Sequence, residues 1–319
     1  MIRYAVVFAG QGAQKPGMGK SLYEASPAAR NIFEWAGEAI MNDCFHSDAE
    51  RLALTEVTQP AVFTVDMAAY AAFREGIAEE PSGLAGFSLG EYAAFTAAGA
   101  ISSFEEGLEL VKARSLVMKE AGERSGAMAA GMGERDAVLS LVGKARGDDV
   151  LEAVNYNSPL QTVVAGDAQA VERFASLAAA DRGLGVKAIP LPVSGAFHSP
   201  LMRPAADAFT EELKKYSFYE PLLPVYLNVT GGAYREYSDA ALGTTNAKIK
   251  AIMVCQIYNP VFWQQTIEAM KADGITTVIE AGPGKVLTGL VKKTSPEMTA
   301  LHVEDAESLA EAINYIKWN

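Results

Sequence analysis

The strongest constraint on the fold is the alternation of short apolar runs with helix-like segments. Residues 4–8 form a compact apolar run that ends in glycines, as in a parallel strand with both faces buried. The segments "GLAGF" (83–87) and "TTVIEAG" (276–282) have the same character, and each precedes a helical pattern. This alternation predicts an α/β fold with a mainly parallel sheet. Further helices are predicted at 59–73, 89–99 and 104–120.

The middle of the chain follows a different order. Strands are predicted at 127–133, 150–157, 161–166 and within 186–193, with helices at 135–145 and 168–181. That order, βαββαβ, is the ferredoxin-like unit. We therefore predict a small inserted domain over residues 124–193, and a large domain made of residues 1–123 and 194–319.

Composition narrows the possible partners and the compartment. The chain has 27 Lys and Arg against 39 Asp and Glu, and this net charge of −12 argues against binding nucleic acid or an anionic membrane. No run approaches the roughly 20 apolar residues of a membrane span, and the start has no cleavage-like segment. Cys44 and Cys255 show neither a disulfide framework nor metal-ligand spacing. We expect a cytoplasmic protein without a metal site.

A candidate nucleophile lies at the end of the second apolar run. Gly86-Phe87-Ser88-Leu89-Gly90 fits G-x-S-x-G, the nucleophile elbow, in which a serine occupies a tight turn between a strand and a helix. The first amides of the following helix would face negative charge that develops beside Ser88. A catalytic role for this serine also requires a base, an oxyanion donor and a binding group.

His198 is the best candidate for the base. The other two histidines, His46 and His302, lie in polar and acidic stretches that favour surface positions. His198 follows the inserted domain, at a junction where clefts form. A serine nucleophile needs a base whose pKa lies near neutrality, and histidine is the usual one. The alternative is a histidine that only packs beside a loop.

Arg114 is the most informative charged residue. On the helix predicted at 104–120, apolar residues lie three and four positions before and after it, which places the guanidinium on or beside the apolar face. A cation that points inward needs an anionic partner, because an unpaired buried charge is costly. Two interpretations follow: a structural ion pair with a glutamate, or capture of a substrate carboxylate in a bidentate fork.

The loop after the first strand, "FAGQGAQKPGMGKS" (8–21), fits neither common phosphate-binding motif. Lys15 stands where the dinucleotide fingerprint needs its third glycine, and Gln14 where the phosphate loop needs its first. What remains is a glycine loop that presents Gln11. Its side-chain amide or backbone N–H could serve an oxyanion hole, or the segment could be only a tight turn.

Taken together, these segments resemble the malonyl-CoA:acyl-carrier-protein transacylase family and the related acyltransferase domains of polyketide synthases. The resemblance runs in family order over nearly the whole chain. It implies an α/β-hydrolase-like large domain with an inserted ferredoxin-like subdomain, in agreement with the element order above. The matching stretches are "FAGQGAQ", "GFSLGEY", "KARSLVM…GAMAA", "VNYNSP", "GAFHSPLM", "QIYNPVFW" and "AGPGKVLTGL".

The resemblance implies a role for each matching residue. Ser88 would be the nucleophile and His198 the general base, with the backbone N–H groups of Gln11 and Leu89 as the oxyanion hole. The main-chain carbonyl of Gln256 would orient the imidazole, where a triad has a carboxylate.

The family also implies which residues bind the acyl group. Arg114 would hold the malonyl carboxylate, and Asn155 and Asn157 would lie near the thioester-binding groove. Phe197, directly before the base, would occupy the space that the α-methyl group of a methylmalonyl unit needs, so malonyl should be preferred. The alternative for Phe197 is simple packing of the loop.

One departure from the family pattern concerns the residue before the nucleophile. The family usually has histidine there, and this chain has Phe87. The change leaves the implied nucleophile, base and arginine intact, but it alters the pocket wall. Ala9, where the family commonly has proline, is a smaller departure.

The implied reaction is a ping-pong transfer of malonyl from malonyl-CoA, through an acyl-serine, to the phosphopantetheine thiol of an acyl carrier protein. It needs no metal or redox cofactor, since coenzyme A enters only as part of the substrate. Two alternatives remain: a serine hydrolase that releases the acyl group to water, and a non-catalytic scaffold that binds carrier proteins.

Overall fold

The computed structural model describes residues 2–122, 126–193, 195–238 and 242–319. These residues form one parallel and one antiparallel sheet of four strands each, surrounded by helices. The strands are β1 (Tyr4–Phe8), β2 (Gly83–Gly86), β3 (Ala127–Met132), β4 (Leu151–Ser158), β5 (Gln161–Gly166), β6 (Lys187–Pro190), β7 (Thr277–Ala281) and β8 (Thr299–Val303). The helices are α1 (Lys20–Ala25), α2 (Pro27–Ala36), α3 (Glu38–His46), α4 (Ala49–Leu52), α5 (Thr55–Gly76), α6 (Gly90–Ala97), α7 (Phe104–Gly122), α8 (Arg135–Arg146), α9 (Ala168–Ala180), α10 (Arg203–Leu213), α11 (Thr245–Tyr258), α12 (Trp263–Ala272), α13 (Val286–Thr294) and α14 (Ala306–Trp318).

The parallel sheet has the strand order β2-β1-β7-β8 and is covered on both faces. Every residue of β1 is buried, as its unbroken apolar run predicts. Because side chains alternate along a strand, Val6 and Phe8 pack into one hydrophobic cluster, and Ala5 and Val7 pack into a second one. The predicted α/β fold with a parallel sheet is confirmed.

The antiparallel sheet has the order β4-β5-β3-β6, the arrangement of a ferredoxin-like unit, and confirms that part of the fold prediction. Helices α8 and α9 cover one face, where Val164 and Phe174 share a cluster. Met128 and Val163 belong to the large cluster on the parallel-sheet side. The uncovered face of the small sheet therefore packs toward the large domain.

Main-chain hydrogen bonds join strand β4 of the small sheet to the segment between α11 and α12. The amide of Val261 donates to the carbonyl of Val154 on β4 at 2.8 Å, and the amide of Tyr156 donates to the carbonyl of Val261 at 2.9 Å. The predicted domain limits at 123/124 and 193/194 fall on or beside residues 123–125 and 194, which lie outside the described residues. Those limits stay a prediction.

Helix α5 begins at Thr55, before the predicted start at residue 59, and so contains Pro60 in its second turn. A proline removes only one helical hydrogen bond, and most of this helix is buried, so packing outweighs that loss.

Among the described residues, no helix has the length and apolar composition needed to cross a membrane.

Asp66 is a buried acid in the middle of α5. It is fully buried, and neither carboxyl oxygen makes a hydrogen bond of good geometry within the described residues. Burial, and then the nearby Glu280, raise the pKa of Asp66 well above its usual range. Burial also raises the pKa of Glu280, but its carboxylate accepts the amides of Leu287 and Thr288 at the start of α13, which offsets part of that effect. Asp66 therefore stays protonated in the folded protein to a higher pH than a solvent-exposed aspartate does.

We predict that Asp66→Asn stabilises the protein more at pH 8 than at pH 5. The pKa of Asp66 in the folded protein lies above its unfolded value of about 3.9. The loss of stability caused by burying this acid is therefore absent below about pH 3.9, and it grows as the pH rises toward the folded-state pKa. The difference in unfolding free energy should widen by at most about 1.4 kcal/mol per pH unit. Urea unfolding of both proteins at the two pH values measures it; an unchanged difference would contradict the assignment.

Candidate active site

The G-x-S-x-G segment forms the turn between β2 and α6. A Cβ on Gly86 would lie 1.8 Å from the carbonyl carbon of Gly90, and a Cβ on Gly90 would lie 2.3 Å from the carbonyl oxygen of Phe8. Between these glycines Ser88 has a φ of 52°, in the left-handed region that non-glycine residues rarely adopt. The glycines thus allow the tight approach, and the turn places Ser88 on the wall of a cavity.

The structure brings the predicted base to the predicted nucleophile. The Nε2 atom of His198 lies 2.8 Å from the Oγ atom of Ser88, and its Nδ1 atom lies 2.8 Å from the main-chain carbonyl oxygen of Gln256. A carbonyl oxygen only accepts, so Nδ1 carries the proton and Nε2 is free to accept one from the serine. His198 also has a positive φ, 64°, so both partners lie on constrained backbone.

The imidazole is buried beside a cation. Burial, and then the guanidinium of Arg114, lower the pKa of His198 to about 4. The neutral form therefore dominates at neutral pH, which is the form that a base must have before it takes a proton.

Arg114, on α7, is also buried and lies directly behind the nucleophile. Its Nη2 atom donates to Ser88 Oγ at 3.0 Å and to Gln256 Oε1 at 3.1 Å, and its Nη1 atom donates to Gln59 Oε1 at 2.7 Å. The Nε atom has no partner within the described residues. The guanidinium is thus held by neutral oxygen atoms. Burial lowers the pKa of Arg114, and the neighbouring Tyr92 raises it against that effect.

A structural ion pair, the first interpretation of Arg114, is not found in the described part of the chain, where no carboxylate lies within 4.0 Å of its guanidinium. Glu91, an acid whose charge would raise the pKa of Arg114, is itself buried, and burial raises the pKa of Glu91 to about 8. At neutral pH this acid is mostly uncharged. The site therefore holds a buried cation without a full counter-charge.

Two free amides lie beside the nucleophile. Neither the backbone N–H of Gln11 nor that of Leu89 donates a hydrogen bond within the described residues. The side chain of Gln11 is already engaged by Thr55 and Gln59, so its backbone N–H is the available donor. An oxyanion hole made of these two amides stays a prediction that the geometry permits.

The cavity beside Ser88, about 380 Å³, lies between the two sheets. Strand β4 contributes Asn155 and Asn157, both nearly buried. The Nδ2 atom of Asn155 and the Oδ1 atom of Asn157 have no hydrogen-bond partner in the described structure. Unpaired polar atoms on a cavity wall are suited to a polar ligand. Phe197 lines the same cavity and is 6% exposed.

Three polar residues of the site were missed by the sequence interpretation. Gln59 bonds Arg114, and Asn228 accepts the amide of Ser88 at 2.7 Å and donates to the carbonyl of Gly86 at 2.7 Å. Glu91 accepts the amide of Asn228 at 2.6 Å. Of these, only Glu91 lay within a recognised motif, "GFSLGEY"; an isolated amide such as Asn228 gives no pattern in a single sequence.

Phe87, the departure from the family pattern, packs against Trp263 on the wall of the cavity. Its ring contacts Trp263 edge-on with centroids 5.5 Å apart, and it also lines the cavity. Trp263 Nε1 is buried without a partner in the described residues. The phenylalanine thus supplies an apolar wall where a histidine would bring a hydrogen-bonding group.

The other histidines lie outside this site. His46 is exposed at the end of α3, and His302 lies on β8 near Glu304. No cluster of three or more potential metal ligands occurs among the residues that the structure describes.

A serine bonded to a neutral histidine, with free amides nearby, is the geometry of serine-dependent acyl-transfer and hydrolytic enzymes. Residues 5–315 match the acyl transferase domain family. Within it, the chain belongs to the malonyl-CoA:acyl-carrier-protein transacylase family, which confirms the resemblance found in the sequence motifs.

The relatives match over their full lengths. The malonyl CoA-acyl carrier protein transacylase of Bacillus subtilis is 40% identical, covering 99% of this chain and 98% of the relative, and that of Escherichia coli K12 is 39% identical, covering 98% and 99%. The crystal structure of the Clostridium perfringens enzyme has a TM-score of 0.89 at 35% identity, with 99% and 97% covered. A malonyl-transacylase in complex with a type II polyketide synthase acyl carrier protein also has a TM-score of 0.89 at 35% identity, with 98% and 99% covered.

We predict that the rate at which p-nitrophenyl acetate acylates Ser88 falls only as the pH approaches about 4. Because the pKa of His198 is lowered to about 4, the base stays neutral above that pH, and the acid limb should lie there rather than near 6.5. Arg114→Gln should move the limb to higher pH, because the guanidinium disfavours the imidazolium. Stopped-flow pH jumps measure both profiles; a wild-type limb near 6.5 would contradict the assignment.

Proposed function

We propose that this chain transfers malonyl groups from malonyl-CoA to the phosphopantetheine thiol of an acyl carrier protein. The observation that carries the proposal is Arg114, a buried cation without a carboxylate partner in the described residues that donates directly to the oxygen of Ser88. A malonyl group is the acyl group whose free carboxylate such a cation would bind next to the nucleophile. The full-length relatives named malonyl CoA-acyl carrier protein transacylase support the same reaction.

In the first half-reaction, Ser88 Oγ attacks the thioester carbonyl carbon and its proton passes to His198 Nε2. The amides of Gln11 and Leu89 stabilise the oxyanion of the tetrahedral intermediate. The carbon–sulfur bond then breaks, and the coenzyme A thiolate leaves with the proton from His198. The product is malonyl-Ser88.

The second half-reaction runs in reverse with a different thiol. His198 Nε2 takes the proton of the phosphopantetheine thiol, and the thiolate attacks the malonyl ester carbonyl. The second tetrahedral intermediate collapses by breaking the bond to Ser88 Oγ, which recovers its proton from His198. Coenzyme A thus enters only as the leaving part of a substrate, and we propose a reaction without a cofactor.

We propose that three further residues on the cavity wall contact the substrate. We propose that the unpaired amide atoms of Asn155 and Asn157 bind the thioester end of the substrate. We also propose that Phe197 limits the space beside Ser88 and so favours malonyl over methylmalonyl.

The unpaired thiols of Cys44 and Cys255 fit a reducing compartment, and we propose the cytoplasm.

The hydrolase and scaffold alternatives differ from transfer in what becomes of malonyl-CoA. Mass spectrometry of the protein mixed with malonyl-CoA should show one malonyl adduct, which carrier protein removes as malonyl carrier protein. Ser88→Ala should form no adduct, because its side chain has no nucleophile. Free malonate without malonyl carrier protein would identify a hydrolase, and neither adduct nor turnover would identify a scaffold.

Arg114→Ala should cost malonyl transfer far more than acetyl transfer. A charge-assisted bidentate pair in a sheltered site contributes about 1.5–3 kcal/mol, or roughly ten- to a hundredfold in kcat/KM. Acetyl-CoA has no carboxylate to lose, so its kcat/KM should hold or rise. Steady-state kinetics with both thioesters measure the ratio, and equal losses for both would show that Arg114 serves only the structure.

A further inference from the structure

Gln256, on α11, contacts three parts of the site with three different atoms. Its main-chain carbonyl oxygen meets His198 Nδ1 at 2.8 Å, and its side-chain Oε1 atom accepts from Arg114 Nη2 at 3.1 Å. Its Nε2 atom donates to the main-chain carbonyl oxygen of Ser88 at 2.9 Å. The residue is 1% exposed. Only the first of these contacts is needed to orient the base.

The contact with the Ser88 carbonyl acts on the next amide. The carbonyl of Ser88 and the N–H of Leu89 belong to one peptide group, which is planar and trans, so the two bonds point in opposite directions. A hydrogen bond that fixes the carbonyl therefore also fixes the direction of the Leu89 N–H. The amide of Glu91 reaches the same carbonyl at 3.2 Å, a weaker contact within the turn.

The neighbouring peptide group of the elbow is held from the other side. Asn228 Oδ1 accepts the Ser88 N–H at 2.7 Å, while its Nδ2 atom donates to the carbonyl of Gly86. Asn228 thus fixes the peptide before the nucleophile, and Gln256 fixes the peptide after it. Only the second of these peptide groups carries a free N–H beside Ser88.

We propose that the Gln256 side chain is a positioning residue, which aims the Leu89 amide at the developing oxyanion and links that alignment to Arg114. The proposal rests on the acyl-serine chemistry described above. The link follows from one guanidinium nitrogen, Nη2, which contacts both Ser88 Oγ and Gln256 Oε1.

The same link gives the side chain a part in substrate choice. A malonyl carboxylate bound by Arg114 would compete for the Nη2 hydrogen now directed at Ser88, while the hydrogen bond to Gln256 uses the other Nη2 hydrogen. The oxyanion donor would then stay aligned while the nucleophile is released to His198. Gln264, on α12, bonds Arg135 and Glu268 outside the site, so it provides a control for replacing a glutamine by methionine.

The test compares Gln256→Met with Gln264→Met, using p-nitrophenyl acetate as the acyl donor. This ester acylates a serine with release of p-nitrophenolate, and it carries no carboxylate for Arg114 to bind. Gln256→Met should lower the maximum rate of acylation at least about tenfold with little change in the ester's apparent Kd, because a misdirected oxyanion donor weakens only the transition state. Gln264→Met should leave that rate within about twofold of wild type.

A second variant separates alignment from packing. Gln256→Glu keeps the size of the side chain and an acceptor for Arg114, but its carboxylate cannot donate to the Ser88 carbonyl, so it should be as slow as Gln256→Met. The proposal is overturned if Gln256→Glu retains the wild-type acylation rate, or if Gln264→Met is as slow as Gln256→Met. A wild-type protein that the ester does not acylate would also overturn it.

The outcome is distinguishable from a failure of the proposed function, because neither malonyl-CoA nor a carrier protein takes part. Slow acylation in the Gln256 variants, together with a wild type that ignores malonyl-CoA, would support the positioning role and reject the malonyl assignment.

Discussion

The whole site depends on the backbone of Ser88, which is held in a left-handed conformation that a serine does not favour by itself. Two glycines allow the conformation sterically, and hydrogen bonds from both sides maintain it. Asn228 holds the amide of Ser88, Gln256 holds its carbonyl, and His198 and Arg114 meet its hydroxyl. Each functional atom is therefore placed relative to one constrained residue, and strain in the turn is offset by contacts that also arrange the chemistry.

Electrostatics in this site follow from burial. Arg114 is a cation among neutral oxygen atoms, and its field together with burial keeps the imidazole of His198 uncharged. Burial also raises the pKa of Glu91 to about 8, so this acid does not neutralise the arginine at lower pH. An incoming carboxylate would supply the missing charge. Binding and catalysis are thus connected through one buried guanidinium.

The parts of the fold and site that the sequence predicts are those with a local pattern. The elbow at Ser88 and the βαββαβ order of the small domain are visible in spacing and periodicity, and Arg114 stands out as a charge on an apolar helix face. Asn228 gives no such signal, because it reaches the elbow from 140 residues away along the chain. The strand Thr299–Val303 is only partly buried at the sheet edge, so it lacks the unbroken apolar run that marks β1.

The cavity lies between two sheets, and its two walls come from different segments of the chain, which has a consequence for how such a chain can diversify. The nucleophile and base belong to segments of the large domain, whereas Met128, Asn155 and Val163 on the opposite wall belong to the small sheet. Side chains on that wall can change in size or polarity without disturbing the elbow or its hydrogen bonds. A lineage can therefore explore new acyl chains by altering one sheet while the reacting atoms on the other keep their geometry.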